Sequence, residues 1–253
     1  MALHPGRAKR RGVQGVEAGP RGSGGLRWRL IDSGLVSGPR SAAIDEALLE
    51  SRALGLSPNT LHFYRRRPPA VSIGRFQRVE EVVDVDECRR RGVDIVRRIS
   101  GGGAIYTDEE CLEYSIVADE GSLGGLEESF RLICGALARA LRRLGVDARY
   151  KPVNDVLIGG RKVSGSAQVR RGGAVLQHGT ILLGVDYDSM RALLKAFKLE
   201  DPRSKLTSLR AELGRPVEPE LVKGAFIEEL EGALGARFEG AGPRRRGPPQ
   251  RSA

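Results

Sequence analysis

Long apolar runs are missing from this 253-residue chain. Nowhere do about 18 apolar residues stand together, so no helical membrane span is expected. Cysteine and histidine are scarce as well. Cys88, Cys111 and Cys134 lie far apart with no Cys-x-x-Cys pair, and the histidines are His4, His62 and His178. A structural zinc site needs four clustered ligands, and this spacing supplies none. Few cysteines and no N-terminal apolar signal segment point to a reducing cytoplasm. The N-terminal stretch is Arg-rich and acid-poor, but it lacks the serine content and amphipathic period of a transit peptide. There is no Gly-Lys-Ser/Thr sequence and no Gly-x-Gly-x-x-Gly after a strand, so both common nucleotide signatures are absent. No internal repeat is seen.

What the chain does have is charge, with a net +10 at neutral pH. Its placement matters more than its size. Residues 1–25 carry five cations and one acid, and residues 240–253 carry four cations and no acid. These Gly-, Pro- and Arg-rich ends hold eight of the ten net charges and almost no large apolar residues. They are read as disordered basic tails, because such segments bury too little surface to offset ordering entropy. Residues 26–239 keep a net +2 and are read as a single catalytic domain. Basic tails of this kind would bind nucleic acid only through salt-dependent phosphate contacts. No RNA- or DNA-binding motif stands in the core, so a specific nucleic-acid role is not expected.

The hydropathy pattern predicts strands at 28–32, 61–64, 70–73, 94–99, 114–118, 175–178 and 180–185. Helices are predicted at 41–53, with Ser41 as N-cap, and at 86–92, 127–144, 189–197 and 218–234. Asp155–Ile158, Gly159-Gly160 and Arg161–Ser164 read as a hairpin, with the two glycines supplying positive φ at the turn. Hairpins outnumber β-α-β units, which predicts an α+β fold with a mostly antiparallel sheet packed with helices.

Three segments could carry chemistry. Arg97–Tyr106 (RRISGGGAIY) places three glycines after a strand, where backbone N–H groups could cradle an anion or the loop could be a plain flexible turn. Lys151–Gln168 (KPVNDVLIGGRKVSGSAQ) holds Asn154, one of two asparagines, and Lys162, one of seven lysines beside 35 arginines. On opposing strands of one hairpin, Lys162 and Asp155 could face a single site. A lysine is a point charge for a carboxylate or phosphate oxygen, and an aspartate is a hard ligand suited to Mg²⁺. Gln177–Leu182 (QHGTIL) places His178 in a strand, as a core residue or a site residue.

In order and spacing, the three segments resemble the lipoate–protein ligase family, within the larger biotin/lipoate ligase fold (class II synthetase-like). IDEALLE and LHFYRRRPPAVSIGRFQ also match the family's opening, and the resemblance runs from about Trp28 to about Gly214. It implies ATP-dependent activation of lipoate or octanoate to an acyl-AMP with Mg²⁺, then transfer to a lysine of a lipoyl-acceptor domain. Such acceptors are the E2 of 2-oxoacid dehydrogenases and the glycine-cleavage H protein. It also implies Lys162 as the catalytic cation and Asp155 as a Mg²⁺ ligand. The substrate-binding set carried over is Arg98, Ser100, Gly101, Gly102, Gly103, Ala104, Tyr106, Asn154, Asp155, Ser164, Gly165, Ser166, Ala167, His178, Gly179 and Thr180. Burying an eight-carbon chain would contribute on the order of 5 kcal/mol, in an apolar slot supplied by Val71, Ile73 and Tyr106.

The sequence departs from the family pattern in places. Thr107 stands where a histidine usually follows the tyrosine, and Cys111 and Glu113 replace two asparagines, so contacts assigned to those side chains do not transfer. About 40 residues follow Gly214, too few for the usual accessory domain, so a separate accessory subunit is expected. The octanoyltransferase branch is the alternative. It works through a cysteine placed just before the lysine hairpin, where this chain has Tyr150–Asp155 without cysteine. Cys111, near the glycine loop, is the remaining thiol of interest. A biotin ligase is a weaker match, because its glycine loop is Arg-rich.

Overall fold

The computed structural model describes residues 26–240; the expected tails, apart from Gly240, lie outside the described residues. The strands are β1 (Leu26–Val36), β2 (Thr60–Arg66), β3 (Ala70–Ile73), β4 (Asp94–Arg97), β5 (Ile105–Thr107), β6 (Cys111–Asp119), β7 (Ala148–Lys151), β8 (Asp155–Ile158), β9 (Arg161–Arg171), β10 (Ala174–Leu182) and β11 (Ala236–Gly240). The helices are α1 (Gly38–Ala53), α2 (Val79–Val82), α3 (Val85–Arg91), α4 (Glu120–Leu123), α5 (Leu126–Arg143), α6 (Tyr187–Leu193), α7 (Leu209–Leu213) and α8 (Pro219–Leu234).

The predicted α+β class is observed. Eight strands form one sheet in the order β11-β1-β2-β6-β10-β9-β8-β7, and β4-β3-β5 form a small second sheet. Only the β11–β1 and β1–β2 contacts of the large sheet are parallel. Local chemistry sets the boundaries. Gly159 and Gly160 both take positive φ at the β8–β9 turn. Gly92 ends α3 in the left-handed region that glycine adopts without cost. At the start of α5, the Glu128 side chain accepts from the Gly125 N–H, satisfying a donor the helix cannot.

Several expectations are corrected. Ser41 lies inside α1 rather than at its cap, its hydroxyl donating to the Gly38 carbonyl, because Pro39 begins the helix earlier. The two strands expected at 175–178 and 180–185 are one, β10. Gly179 does not interrupt it; a Cβ there would sit 2.6 Å from the Tyr114 hydroxyl. The helix expected over 189–197 divides into α6 and a 3₁₀ turn at Lys195–Phe197.

Strand register gives the large sheet two different faces. Phe63 pairs with Tyr114, and Tyr114 with Gly179. That row faces α5 and α8, where the Phe226 ring meets Tyr114 at 5.1 Å and Phe63 at 6.3 Å between centroids. One residue along each strand, side chains point the other way. The rows Tyr64–Glu113–Thr180 and His62–Ser115–His178 therefore face α1 and the small sheet. Leu48 and Leu49 of α1 pack there on Val117 and Leu176. No helix among the described residues is long and apolar enough to cross a membrane.

Candidate active site

Between that second face, the small sheet and α6 lies a cavity of about 600 Å³, a size suited to a small-molecule ligand. The segments singled out by sequence meet in its wall. Arg98, Gly101–Gly103, Ala104, Tyr106, Asn154, Asp155, Lys162, Gly165, Ser166, Ala167, His178, Gly179 and Thr180 all line it. Ser100 reaches the site through His178, whereas Ser164 is buried outside the lining.

Lys162 is fixed by its backbone. Its N–H donates to the Lys205 carbonyl at 2.8 Å, and its carbonyl accepts from the Thr207 N–H at 3.0 Å. Its ammonium lies 2.8 Å from Asp155 Oδ1, and the ammonium is partly exposed. Both side chains cross Gly165, where a Cβ would sit 3.4 Å from Asp155 Oδ1 and from the Lys162 chain. The expected cation–carboxylate pair is thus built, with glycine making room for it. Asn154 and Ser166 bracket it: the Ser166 hydroxyl donates to the Asn154 carbonyl at 2.9 Å, and the Asn154 amide donates to the Ser166 carbonyl.

The glycine loop is organised by Arg98. Its guanidinium donates to the carbonyls of Ser72 (2.9 Å), Gly101 (2.8 Å) and Gly103 (2.8 Å). Burial, with Arg66 nearby, pulls this guanidinium down to about 10, so it stays charged at neutral pH. Arg98 therefore lines the cavity with its charge already engaged by backbone carbonyls. Only Gly102 of the three glycines takes positive φ, at 97°. A second contact fixes the loop: a Cβ on Gly74 would fall 2.1 Å from the Gly102 carbonyl oxygen, so only glycine permits this approach.

Behind the loop runs a hydrogen-bonded chain. Asp45 of α1 accepts from Ser115 Oγ at 2.6 Å and lies 2.8 Å from His178 Nδ1. His178 Nε2 is 2.6 Å from Ser100 Oγ. The carboxylate calls for a proton on Nδ1, so in the neutral ring Nε2 accepts from the serine hydroxyl. Burial opposes ionisation of Asp45, but its hydrogen bonds to His178, His62 and Ser115 hold the carboxyl well below the usual range. Sequence reasoning placed Asp45 on the apolar helix α1 and gave it no role. The signal available was one acid on the buried side of that helix.

Three further features correct the expectations. Val71 and Ile73 do not line the cavity: strand alternation turns them into a second core with Leu193 and places Ser72 in the wall. Tyr106 does line it, with apolar surface from Met190, Leu194 and Phe197 beside it. Asp155 does not fit a metal held by the protein alone. It faces Lys162, and among the described residues no three His, Cys, Asp or Glu side chains gather to hold an ion. None of the three cysteines lines the cavity, and all are buried. Burial pushes the Cys111 thiol well up, and pushes Cys134 up to about 11. None is the exposed, electropositive thiol that a nucleophile requires.

Comparison with known proteins places this geometry. The profile of the lipoyl protein ligase A/B catalytic domain matches residues 38–231. Octanoyltransferase LipM of Kyrpidia tusciae is 37% identical over 245 residues, covering 84% of this chain and 89% of the relative. The structure of the bi-partite lipoate protein ligase of Thermoplasma acidophilum, described with its E2 lipoyl domain, superposes with a TM-score of 0.76 at 32% identity. It covers 85% of this chain and 86% of that one. A lipoate–protein ligase A bound with ATP gives 0.75 at 30% identity, covering 85% and 88%. The expectation of an ATP-dependent lipoate–protein ligase is corrected by these relatives. Eight curated ones, 30–39% identical, bear the name octanoyltransferase LipM. The profile match over most of the described residues and the relatives above 30% identity lead to one conclusion: the chain belongs to the lipoyl protein ligase A/B catalytic-domain family.

Proposed function

We propose that this protein transfers a medium-chain acyl group of the octanoyl type from a carrier thioester to a lysine of a lipoyl-acceptor domain. The likeness to the octanoyltransferases carries the reading, and the partly apolar cavity ending beside Lys162 and Asp155 fits it. The acyl chain lies in the cavity, with its carbonyl carbon at Lys162. The Lys162 ammonium donates to the thioester oxygen and stabilises the negative charge that develops there, an effect worth about 10²–10³ in rate. The acceptor's neutral amine attacks the carbonyl carbon. The C–N bond forms, the C–S bond breaks, and the carrier leaves as a thiol. Asp155 offsets the charge of Lys162, takes the proton that the attacking nitrogen loses and passes it to the departing sulfur, which restores the carboxylate.

With its thiols buried, the chain uses direct transfer in which the acceptor amine meets the bound thioester without an acyl–cysteine intermediate. The test is to incubate the chain with octanoyl carrier protein and a lipoyl domain, without nucleotide, and follow the mass of both proteins. Octanoylated acceptor, no acylated enzyme and full activity in Cys111→Ser are expected. Modification of the acceptor only with free lipoate and Mg·ATP would overturn the reading. A trapped acyl–cysteine would overturn the direct route.

A further inference from the structure

The wall of the cavity away from Lys162 is not apolar. Arg66 and Glu113 line it and are buried, at 3% and 4% exposure. Arg66 Nε lies 3.0 Å from Glu113 Oε2, yet the two are poorly aligned. Arg66 Nε and Nη1, Glu113 Oε2 and Ser72 Oγ have no hydrogen-bond partner. Buried polar groups are normally paired, and each one left unpaired costs free energy. Nε and Oε2 at least face each other as an ion pair, whereas Arg66 Nη1 and Ser72 Oγ are open to a ligand or to water.

Their position fits one end of a chain. Gly165, under the Lys162 ammonium, lies in β9; Thr180 is beside it in β10, and Glu113 pairs with Thr180 from β6. Two strand spacings separate Gly165 from Glu113, about 10 Å. Seven bonds of extended chain advance about 8 Å, at the roughly 3.5 Å per three bonds of an extended backbone. An eight-carbon acyl group with its carbonyl at Lys162 and its chain running across the strands toward β6 would bring its last carbon to Arg66 and Glu113.

We infer that Arg66, Glu113 and Ser72 form a polar specificity subsite, taking a hydrogen-bonding group such as a hydroxyl at the far end of the acyl chain in preference to a methyl. This rests on the acyl-transfer reading for the chain's orientation and adds the chemistry of its distal end. A hydroxyl can donate to Glu113 and accept from Arg66 at once, so it is favoured there over a methyl, which can do neither. Burial pushes the Glu113 carboxyl up to about 7, with Arg66 and a hydrogen bond from Thr107 offsetting part of the rise.

The experiment is calorimetric binding of two free acids, octanoate and 8-hydroxyoctanoate, to the full chain and to the Arg66→Met/Glu113→Leu double variant. The natural sequence is expected to favour the hydroxy acid about tenfold, the worth of one hydrogen bond to a charged group. The double variant should reverse that order. Ser72→Ala, which leaves the ion pair in place, should narrow the preference by a smaller factor. Tighter binding of octanoate by the natural sequence would overturn the subsite, as would an unchanged ratio in a folded double variant or no binding of either acid. Because binding is read without turnover, failure of thioester transfer would strike the functional reading and leave this result standing.

Discussion

The two faces of the large sheet are made by the same strands and differ in almost everything else. On one face Phe63, Tyr114 and Ile116 pack against Phe226 and α5 with no exposure above 1%. On the other, the neighbouring residues along the same strands are His62, Tyr64, Glu113 and Ser115. The first face gains stability from area removed from water, at about 25 cal/mol per Å². The second gives much of that up in order to hold charges, hydrogen-bond chains and a cavity. Period-two alternation lets one strand serve both ends. A single β6 residue is therefore committed either to folding or to chemistry, and substitutions should separate along that line.

The largest expected break is on the dry face. Phe226→Ala should cost about 3–5 kcal/mol, the range for emptying an aromatic core site, as read from urea denaturation. The folded fraction should retain the ligand affinity of the cavity. The converse is Lys162→Ala on the wet face: transfer should fall about 10²–10³-fold, while the denaturation midpoint stays close to that of the natural sequence, since the lysine is partly exposed. A loss of both together would mean that the two faces are not independent.

A pH titration sharpens the comparison further. Glu113 is raised from 4.5 to about 7 by burial, with Arg66 offsetting only part of the shift. A raised carboxyl binds its proton more tightly in the folded state. Its contribution to stability is therefore fully present below pH 4.5 and is lost as pH rises through about 7. Denaturant melts from pH 4.5 to 7.5 should show this decline, and Glu113→Gln should flatten it. The smallest effect belongs to neither face: Arg27→Ala removes an exposed pair with Glu239 and should change stability by less than about 0.5 kcal/mol.

The parts legible in the sequence were those whose signal is local. The Gly159-Gly160 turn, the apolar stripe of α5 and the glycine segment each announce themselves within a few residues, and each lies where its pattern placed it. The hairpin put Lys162 and Asp155 on neighbouring strands, but their contact is diagonal: Asp155 lies opposite Gly165 and Lys162 opposite Leu157, and the side chains meet across the glycine. The rest depends on distant chain segments. Asp45 and His178 are 133 positions apart, and nothing near either residue names the other. Strand β11 closes the sheet by pairing with β1 across 210 residues, a contact no local pattern carries. Ser72 entered the cavity in place of Val71 and Ile73 because four buried residues in a row carry no alternation from which to read a facing. Arg66 and Glu113 stood in plain view as charges within strands, but only the folded register put them on one wall.

The grip of Arg98 on its loop has a consequence for the speed and heat of recognition. A run of three glycines would ordinarily lose much freedom on meeting a ligand. Here the Gly101 and Gly103 carbonyls are already held by one guanidinium and Gly102 already touches Gly74. The ordering entropy has been met during folding, so a ligand encounters a prepared wall rather than a loop that must first be arranged. Association should then run at an encounter-limited rate, with little conformational lag, and the motif that looks most pliable in the sequence acts as one of the stiffest parts of the site.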